Sequence, residues 1–468
     1  MSTTKSKTNL HIVAYPFPSA GHIIPLLDLT HLLLTRGLNV TVLVTPSNVH
    51  LLEPYLSAHP SSLKHLVLPA LVPASTPTPP HKRLLAVVRA LRDLHYPFLL
   101  QWFQSHPSPP VAIISDFFLG WTHHLACELK VPRLCFSPSG AFGMSVAFSM
   151  IRDPPKNNDP GEDINVLISL PKVPNSPTYP WWQIPPHYRN DLEADPDWEF
   201  HRNSMLANFE SWGIVFNSFA SLESVYFDHL KREVGHNRVW AVGPVLPLEG
   251  DLIGSATRGG ASSVPCHELM TWLDARLDNS VVYVCFGSLA VLTSKQLNVL
   301  ATALECSGVH FILCARVPDD QGSILDGFRD RVGDRGLVIK GGWAPQVAIL
   351  RHRAIGSFLT HCGWNSVLEG LISGVVMLTW PMGTEQFTNA LLLVDQLGVA
   401  IRAGEGNENI PDSNELAQLL ILSLDKIKPQ NVRAKELSDA ALSAVKGGSS
   451  DKDLDELIKQ LVDIKKLE

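Results

Sequence analysis

The sequence lacks several features that would place it in a common class of protein. None of its 468 residues belong to a run of about 18 apolar residues, so it predicts no membrane-spanning helix. Residues 1–9 are polar, without the apolar segment of a secretory signal. Its 38 basic residues are fewer than its 45 acidic ones, which argues against nucleic acid as a partner. We therefore expect a soluble, cytoplasmic protein.

Cysteine is scarce and shows no pairing motif. The seven cysteines are an odd number and include no CxxC pair, and several lie in apolar runs. This favours reduced, structural thiols over a disulfide framework. No Cys/His spacing around His361 completes a tetrahedral zinc site, so we do not expect His361 to be a zinc ligand.

Two enzyme motifs are also missing. No G-x-G-x-x-G follows the apolar segments 10–14 or 281–286, which argues against a dehydrogenase. No G-x-S-x-G occurs, which leaves a serine hydrolase little support.

Short apolar segments alternate with helical ones in two separate series. The first series predicts strands at 10–14, 40–44 and 111–114, with helices at 23–34 and 120–129. The second series predicts strands at 281–286, 310–315, 336–340, 355–359 and 375–378, with a helix at 294–307. Continuous apolar strands are typical of buried parallel sheets. The fold class is therefore α/β, with two Rossmann-like, doubly wound domains.

Composition predicts the domain boundaries. Residues 244–263 are rich in Gly, Pro and Ser and are interpreted as an interdomain linker between domains 1–243 and 264–443. Residues 444–468 include a segment of helical periodicity at 454–467. The Pro-rich stretch 152–196 is predicted to be a long loop with short helices.

His22 and Asp116 are the candidate catalytic pair. Each follows or ends a predicted strand of the first domain, at the sheet edge where α/β proteins bind ligands. A neutral imidazole at a helix N-terminus suits a general base, and an aspartate on its other nitrogen would fix the tautomer. The alternatives are a surface or capping histidine and a helix N-cap aspartate.

A second set of candidates lies in the later domain. Trp343, in the turn Trp343-Ala344-Pro345-Gln346, could stack on a flat base. A helix beginning near Gly363 would offer free N–H groups to a diphosphate, with His361 and Ser366 as further donors. Glu369 lies one helical turn after Asn365 and could accept two ribose hydroxyls. Glu385 and Gln386 could meet the hydroxyls of a sugar.

The order and spacing of these residues from Trp343 to Gln386 resemble the signature box of plant secondary-product glycosyltransferases. The similarity extends over the whole chain, including Gly21-His22, Asp116, residues 240–244 and Phe286-Gly287-Ser288. The sequence looks like a plant family 1 UDP-glycosyltransferase, of the branch that acts on flavonols and simple phenolics.

The resemblance implies GT-B architecture, in which two Rossmann-like domains face each other across a cleft. The first would bind the acceptor and the second the UDP-sugar, with the segment 444–468 returning to the first. Trp343 would stack on uracil, Gln346 would line the nucleoside pocket and Glu369 would bind ribose. The implied diphosphate contacts are His361, Asn365, Ser366 and Ser288, and the implied sugar contacts are Trp364, Glu385 and Gln386.

The implied reaction is inverting O-glycosylation with His22 as base and Asp116 as its partner. UDP-glucose is the expected donor, because Gln386 accompanies it in this family, and no metal or permanently bound cofactor is expected. UDP-rhamnose or UDP-xylose as donor, or a non-catalytic UDP-sugar-binding protein, are the alternatives. The acceptor would be a small aromatic molecule and the protein a monomer. Seven aromatic side chains are candidates for the acceptor wall, and ordinary core packing is the alternative for each of them: Phe17, Phe117, Phe118, Trp121, Phe142, Trp181 and Trp182.

Overall fold

The structure is a computed structural model of the 468-residue chain. It describes residues 10–71, 79, 82–159, 161, 163–189, 195–247, 258–259, 264–316, 322–340 and 343–465. The chain forms two compact units, which we call unit 1 (Met1–Leu246 with Ala444–Glu468) and unit 2 (Pro247–Ser443). Most of the predicted linker, residues 248–257 and 260–263, lies outside the described residues.

Unit 1 is built on a parallel sheet of seven strands, in the order β3-β2-β1-β4-β5-β8-β9. The strands of unit 1 are, in chain order, β1 (His11–Tyr15), β2 (Asn39–Val44), β3 (Leu63–Val67), β4 (Ala112–Asp116), β5 (Arg133–Ser137), β6 (Leu167–Ser169), β7 (Thr178–Pro180), β8 (Gly213–Phe216) and β9 (Val239–Ala241). Residues on both faces of β4, β5 and β8 are buried, which explains why these strands are apolar or small apart from Asp116 at the end of β4 and Arg133 at the start of β5.

Helices connect consecutive strands of this sheet. They are α1 (Ala20–Thr35), α2 (Glu53–Ala58), α3 (Arg83–Ser105), α4 (Thr122–Leu129), α5 (Ala141–Arg152), α6 (Pro186–Arg189), α7 (Pro196–Leu206) and α8 (Ala220–Val234). The predicted long loop 152–196 also contains the antiparallel hairpin of β6 and β7, which the sequence analysis missed. Each of these strands has three residues, too few for an alternating pattern to be visible.

Unit 2 repeats the design with six parallel strands, in the order β12-β11-β10-β13-β14-β15. The strands are β10 (Val281–Cys285), β11 (His310–Ala315), β12 (Gly336–Lys340), β13 (Ile355–Thr360), β14 (Val376–Thr379) and β15 (Ala400–Arg402). The helices are α9 (Cys266–Asp274), α10 (Ser294–Ser307), α11 (Gly322–Val332), α12 (Gln346–Leu350), α13 (Trp364–Ile372), α14 (Gln386–Leu391), α15 (Ser413–Ser423) and α16 (Pro429–Val445). The two doubly wound parallel sheets confirm the predicted fold class.

Each sheet has a topological switch point, where neighbouring strands continue in opposite directions across the sheet. In unit 1 it lies between β1 and β4, and in unit 2 it lies between β10 and β13. The loops that leave such a pair of strands diverge, which leaves a crevice at the carboxyl edge of the sheet. In unit 1, His22 follows β1 and Asp116 is the last residue of β4. In unit 2, Ser288 follows β10 and His361 follows β13.

The last helix, α17 (Ser449–Lys465), packs on unit 1. Ser450 Oγ donates to the Gly243 carbonyl at 2.6 Å, and the Ala241 amide donates to Asp453 Oδ2 at 2.8 Å. Arg36, at the end of α1, forms ion pairs with Asp451 and Asp455. The segment that ends the chain therefore closes the edge of the sheet at β9.

Within the described ranges, no helix is both long enough and apolar enough to cross a membrane.

Candidate active site

His22 and Asp116 form a hydrogen-bonded pair in unit 1. The His22 Nδ1 and Asp116 Oδ2 atoms are 2.7 Å apart, although the residues are 94 positions apart in sequence. The Asp116 side chain is fully buried and the His22 side chain is 19% exposed. An ionised carboxylate can only accept, so Nδ1 carries the proton and Nε2 keeps its lone pair. This arrangement leaves a nitrogen with a free lone pair on a partly exposed side chain.

The second oxygen of Asp116 caps the turn that follows β4. Oδ1 accepts the Phe118 amide at 2.9 Å, at the start of a 3₁₀ turn over Phe117–Leu119. Asp116 is therefore the N-cap of this turn, and one carboxylate serves both the turn and the imidazole.

Three aromatic rings frame the imidazole. Phe118 and Phe117 stack on His22 with centroid distances of 4.9 and 5.7 Å, and Phe17 meets it edge-on at 5.4 Å. These contacts fix the plane of the ring and leave an apolar surface beside its basic nitrogen.

The other residues of the candidate acceptor wall have different surroundings. Trp121 and Phe142 are fully buried, against Tyr15 and Tyr226 respectively, so both belong to the core of unit 1. For these two candidates, burial favours core packing, the alternative to a place in the wall. Trp181 and Trp182 are half-buried in a 3₁₀ turn.

In unit 2, the side chains predicted to bind a nucleoside form one hydrogen-bonded cluster. Gln346 Nε2 donates to Glu369 Oε2 at 2.6 Å and to Ser366 Oγ at 2.9 Å. Tyr283 Oη, on β10, donates to Gln346 Oε1 at 3.1 Å. Ala344 is buried, and its carbonyl accepts the Gln346 amide at 2.7 Å, which orients the start of α12.

Arg258, from the predicted linker, joins this cluster. Its guanidinium forms a buried ion pair with Glu369, and its carbonyl accepts the Trp343 indole N–H at 3.0 Å. Gly259 has φ +85° and lies so close to Trp343 that a side chain there would overlap the indole ring. Trp343 is therefore half-buried under Gly259.

The turn after β13 begins α13 as the sequence predicts, with Gly363 as its N-cap. Cys362 has φ +63°, and Asn389 Nδ2 holds its carbonyl at 2.9 Å. Trp364 and Asn365 occupy the first turn, where Trp364 is buried. This strand–turn–helix leaves the first amides of α13 at the carboxyl edge of the sheet.

His361 lies between two glycines, because a side chain at Gly287 or Gly363 would overlap its imidazole. Burial lowers the pKa of His361 to about 4, so the ring is neutral at neutral pH. Its Nδ1 has no hydrogen-bond partner among the described residues. His361 can therefore donate or accept a hydrogen bond, but it does not bring a full positive charge.

The predicted sugar contacts lie at the start of α14. Gln386 Oε1 accepts the amides of Met382 and Gly383 at 2.9 and 3.2 Å, which fixes the side chain against the preceding turn. Glu385 is exposed and accepts the Thr384 hydroxyl at 2.6 Å. Ser288 is exposed in the loop after β10, and its carbonyl accepts the Arg316 guanidinium.

Chemically, unit 1 offers an imidazole paired with a carboxylate, and unit 2 offers hydrogen-bonding groups around an aromatic ring. Sequence reasoning missed Arg258 and Tyr283, whose only local signals are an arginine in a Gly/Ser-rich segment and a tyrosine in an apolar strand. Within the described part of the chain, no three His, Cys, Asp or Glu side chains lie close enough together to hold a metal ion.

Comparisons with known proteins agree with this chemistry. Residues 245–409 match the family model "UDP-glucoronosyl and UDP-glucosyl transferase". A flavonol 3-O-glucosyltransferase of Arabidopsis thaliana is 50% identical, over 98% of this chain and 97% of that protein.

Two solved structures are also similar. Arabidopsis thaliana UGT89C1 with UDP-L-rhamnose has a TM-score of 0.80 and 37% identity, over 97% of this chain and 99% of that one. The same enzyme with quercetin has a TM-score of 0.77 and 36% identity, over 97% of this chain and 100% of that one.

Proposed function

The chain belongs to the plant family 1 UDP-glycosyltransferases, and from this premise we propose that it transfers glucose from UDP-glucose to a hydroxyl of a flavonol or similar phenol. The hydrogen bond of 2.7 Å between His22 and Asp116 carries the proposal, because it leaves His22 Nε2 as a base at the switch point of unit 1. The 50% identity to a flavonol 3-O-glucosyltransferase supports the choice of sugar and acceptor.

Acceptor activation uses the pair directly. His22 Nε2 takes the proton of the acceptor hydroxyl while the hydroxyl oxygen attacks the anomeric carbon of the UDP-sugar. The carboxylate of Asp116 balances the imidazolium charge that forms on His22, without taking the proton itself. Phe17, Phe117 and Phe118 give a flat acceptor an apolar surface beside the base. Attack from the face opposite the leaving group gives a β-glucoside from UDP-α-glucose.

Donor binding uses unit 2. Trp343 stacks on the uracil ring, Gln346 lines the nucleoside pocket and Glu369 accepts the ribose hydroxyls. The amides of Gly363 to Ser366, with Asn365 and Ser288, bind the diphosphate at the N-terminus of α13. Trp364, Glu385 and Gln386 contact the sugar.

Departure of UDP develops negative charge on the β-phosphate. The amide dipoles at the start of α13 stabilise this charge, and His361 adds a neutral hydrogen-bond donor. We therefore expect turnover without added metal. We also propose that the enzyme acts as a cytoplasmic monomer, and its seven free cysteines fit a reducing compartment.

UDP-rhamnose is the principal alternative donor, because the similar Arabidopsis enzyme was solved with UDP-L-rhamnose. UDP-xylose is a second. Gln386 favours glucose because its fixed side chain presents amide N–H groups to the sugar hydroxyls.

The test measures UDP release by the purified chain, with UDP-glucose, UDP-rhamnose and UDP-xylose each supplied with quercetin or a hydroxybenzoate. We expect the highest kcat/KM with UDP-glucose and quercetin, and a product whose anomeric proton shows the β configuration by NMR. Turnover only with another sugar would contradict the donor. UDP binding without turnover for every pair would make the chain a UDP-sugar-binding protein rather than an enzyme.

A further inference from the structure

Unit 1 encloses a cation that the reaction scheme above does not use. Arg133 is the first residue of β5 and is only 1% exposed. Among the described residues, no carboxylate oxygen lies within ion-pair distance of its guanidinium. Its hydrogen bonds go instead to neutral oxygens of Ser115, Asn208, Ser211 and Asp116. A buried cation without a paired anion is costly, so its position requires an explanation.

The contacts of Arg133 lead to the segment that carries Asp116. The guanidinium donates to the Asp116 carbonyl at 3.2 Å and to Ser115 Oγ at 2.8 Å. It also donates to Asn208 Oδ1 at 2.8 Å, and Asn208 Nδ2 donates to the Phe117 carbonyl at 2.8 Å. Arg133 and Asn208 therefore hold two consecutive carbonyls, next to the carboxylate and the ring that contact His22.

The charge of Arg133 matters as well as its hydrogen bonds. The Asp116 side chain is fully buried, so its carboxylate and the buried Arg133 guanidinium interact through a low-dielectric interior. Burial lowers the pKa of Arg133, and the neighbouring Cys135 and Asp116 act in the opposite direction. A guanidinium stays protonated in proteins, so this charge is permanent.

We propose that Arg133 is a positioning residue for glycosyl transfer, which holds the Asp116–Phe117 backbone and supplies a fixed positive charge beside the His22–Asp116 pair. The inference rests on the proposed role of His22 as the base and deepens it. Asn208 shares the positioning role but not the charge.

The first experiment compares Arg133→Met, Arg133→Lys and Asn208→Ala in kcat and in affinity for UDP. Arg133→Met should lower kcat on the order of 10- to 100-fold, because a small displacement of the base slows the reaction strongly. Lys keeps the charge and should recover part of that loss. The Kd of UDP should stay within about twofold, because the proposed nucleotide contacts all belong to unit 2. Arg152→Met is the matched control, since Arg152 lies over Phe209 and pairs with Glu233 instead.

The pH profile of kcat/KM separates charge from packing. Without the cation, the His22–Asp116 pair should hold a proton more readily, so the acid limb of Arg133→Met should move to higher pH. Arg133→Lys and Asn208→Ala keep a positive charge and should leave the limb in place. The other titratable groups near this charge are Cys135 on β5 and His123 on α4, which faces Glu210.

A double variant tests whether Arg133 acts through His22. In a His22→Ala background, Arg133→Met should lower the remaining kcat by less than about threefold, because the group that it positions is gone. Equal losses in both backgrounds, or an unmoved acid limb in a folded Arg133→Met, would overturn the inference. If Arg133→Met does not fold, Asn208→Ala tests whether the contacts to the Asp116–Phe117 backbone position the pair. A wild-type kcat in Asn208→Ala would then overturn the proposed positioning role. Normal turnover by His22→Ala alone would instead refute the proposed base.

Discussion

Two histidines lie at the switch points of the two sheets, and their surroundings differ. His22 in unit 1 is 19% exposed and has a carboxylate on one nitrogen. His361 in unit 2 is buried between two glycines, and burial lowers its pKa to about 4. The first can accept a proton from a substrate and stabilise it, whereas the second stays neutral. The partner and the exposure of an imidazole, rather than its place in the fold, therefore decide its chemistry.

The two sites also differ in how ready they are for a ligand. At the His22 site, Asp116 and the stacked rings of Phe117 and Phe118 fix the plane of the imidazole, and the side chain is 19% exposed. In the unit 2 cluster, Glu369 is paired with Arg258, and Trp343 is covered by Gly259. Under the proposed function, a nucleotide would have to displace these contacts.

The largest effect is expected when each of the two sites is altered in turn by one substitution. His22→Ala should lower kcat by about 10²- to 10⁴-fold and leave UDP binding unchanged, because it removes only the general base. Trp343→Ala should weaken UDP binding by the loss of base stacking, about 1–3 kcal/mol, without disturbing the His22–Asp116 pair. Steady-state kinetics and calorimetric titration with UDP measure the two effects. If either variant changed both properties alike, the division of labour between the units would be wrong.

An intermediate effect is expected from acid. Burial lowers the pKa of His201 to about 3 and that of His187 to about 4, both in unit 1. Below about pH 6.5 the unfolded chain takes up protons that these folded side chains exclude, so stability falls as the pH falls. Each of these two histidines should lower the free energy of unfolding by about 2 kcal/mol between neutral pH and pH 5.

Unit 1 should therefore be the more acid-sensitive unit. Burial also lowers the pKa of six further histidines there, His11, His59, His95, His123, His229 and His236. Among the described residues of unit 2, burial lowers the pKa of two histidines, His310 and His361. Urea unfolding of His201→Phe at pH 7 and pH 5 should show a smaller loss than the wild type. The exposed His65 provides the control, His65→Gln, and an equal loss in all three proteins would exclude His201 as the cause.

The smallest expected effect concerns Arg258. Arg258→Ala should tighten UDP binding roughly three- to tenfold, because a larger fraction of the protein would then have Glu369 available. Turnover at saturating UDP-glucose should not change. Arg331→Ala, which removes an exposed arginine paired with Glu305, is the control. Weaker binding by Arg258→Ala would mean that Arg258 contacts the nucleotide, and the contrast between the two sites would then disappear.

Local pattern was enough to predict most of what forms the two sheets. The helix 294–307 and the strands 310–315 and 336–340 have the predicted bounds, because each is a periodic or apolar segment between clear breakers. The 23-residue helix α3 was not assigned, since its apolar positions are interrupted by charged residues.

The candidate site was predictable only in part. The positions of His22, Asp116 and Gly363 follow from where strands end, which is a local property. The ion pair of Arg258 and Glu369 joins residues 111 positions apart, and Arg133 reaches Asn208 across 75. Such contacts depend on how elements pack, and no sequence period records them.

The return of α17 to unit 1 has a consequence for the order in which the protein is completed. The ribosome finishes unit 2 before it makes Ser450 and Asp453, which cap the Gly243 carbonyl and the Ala241 amide. Unit 1 therefore waits through the synthesis of about 200 residues with its sheet edge at β9 unfinished. During that interval the backbone groups of residues 241 and 243 lack the partners that α17 supplies. A chimaera that exchanges the first domain between relatives should therefore exchange its last helix as well.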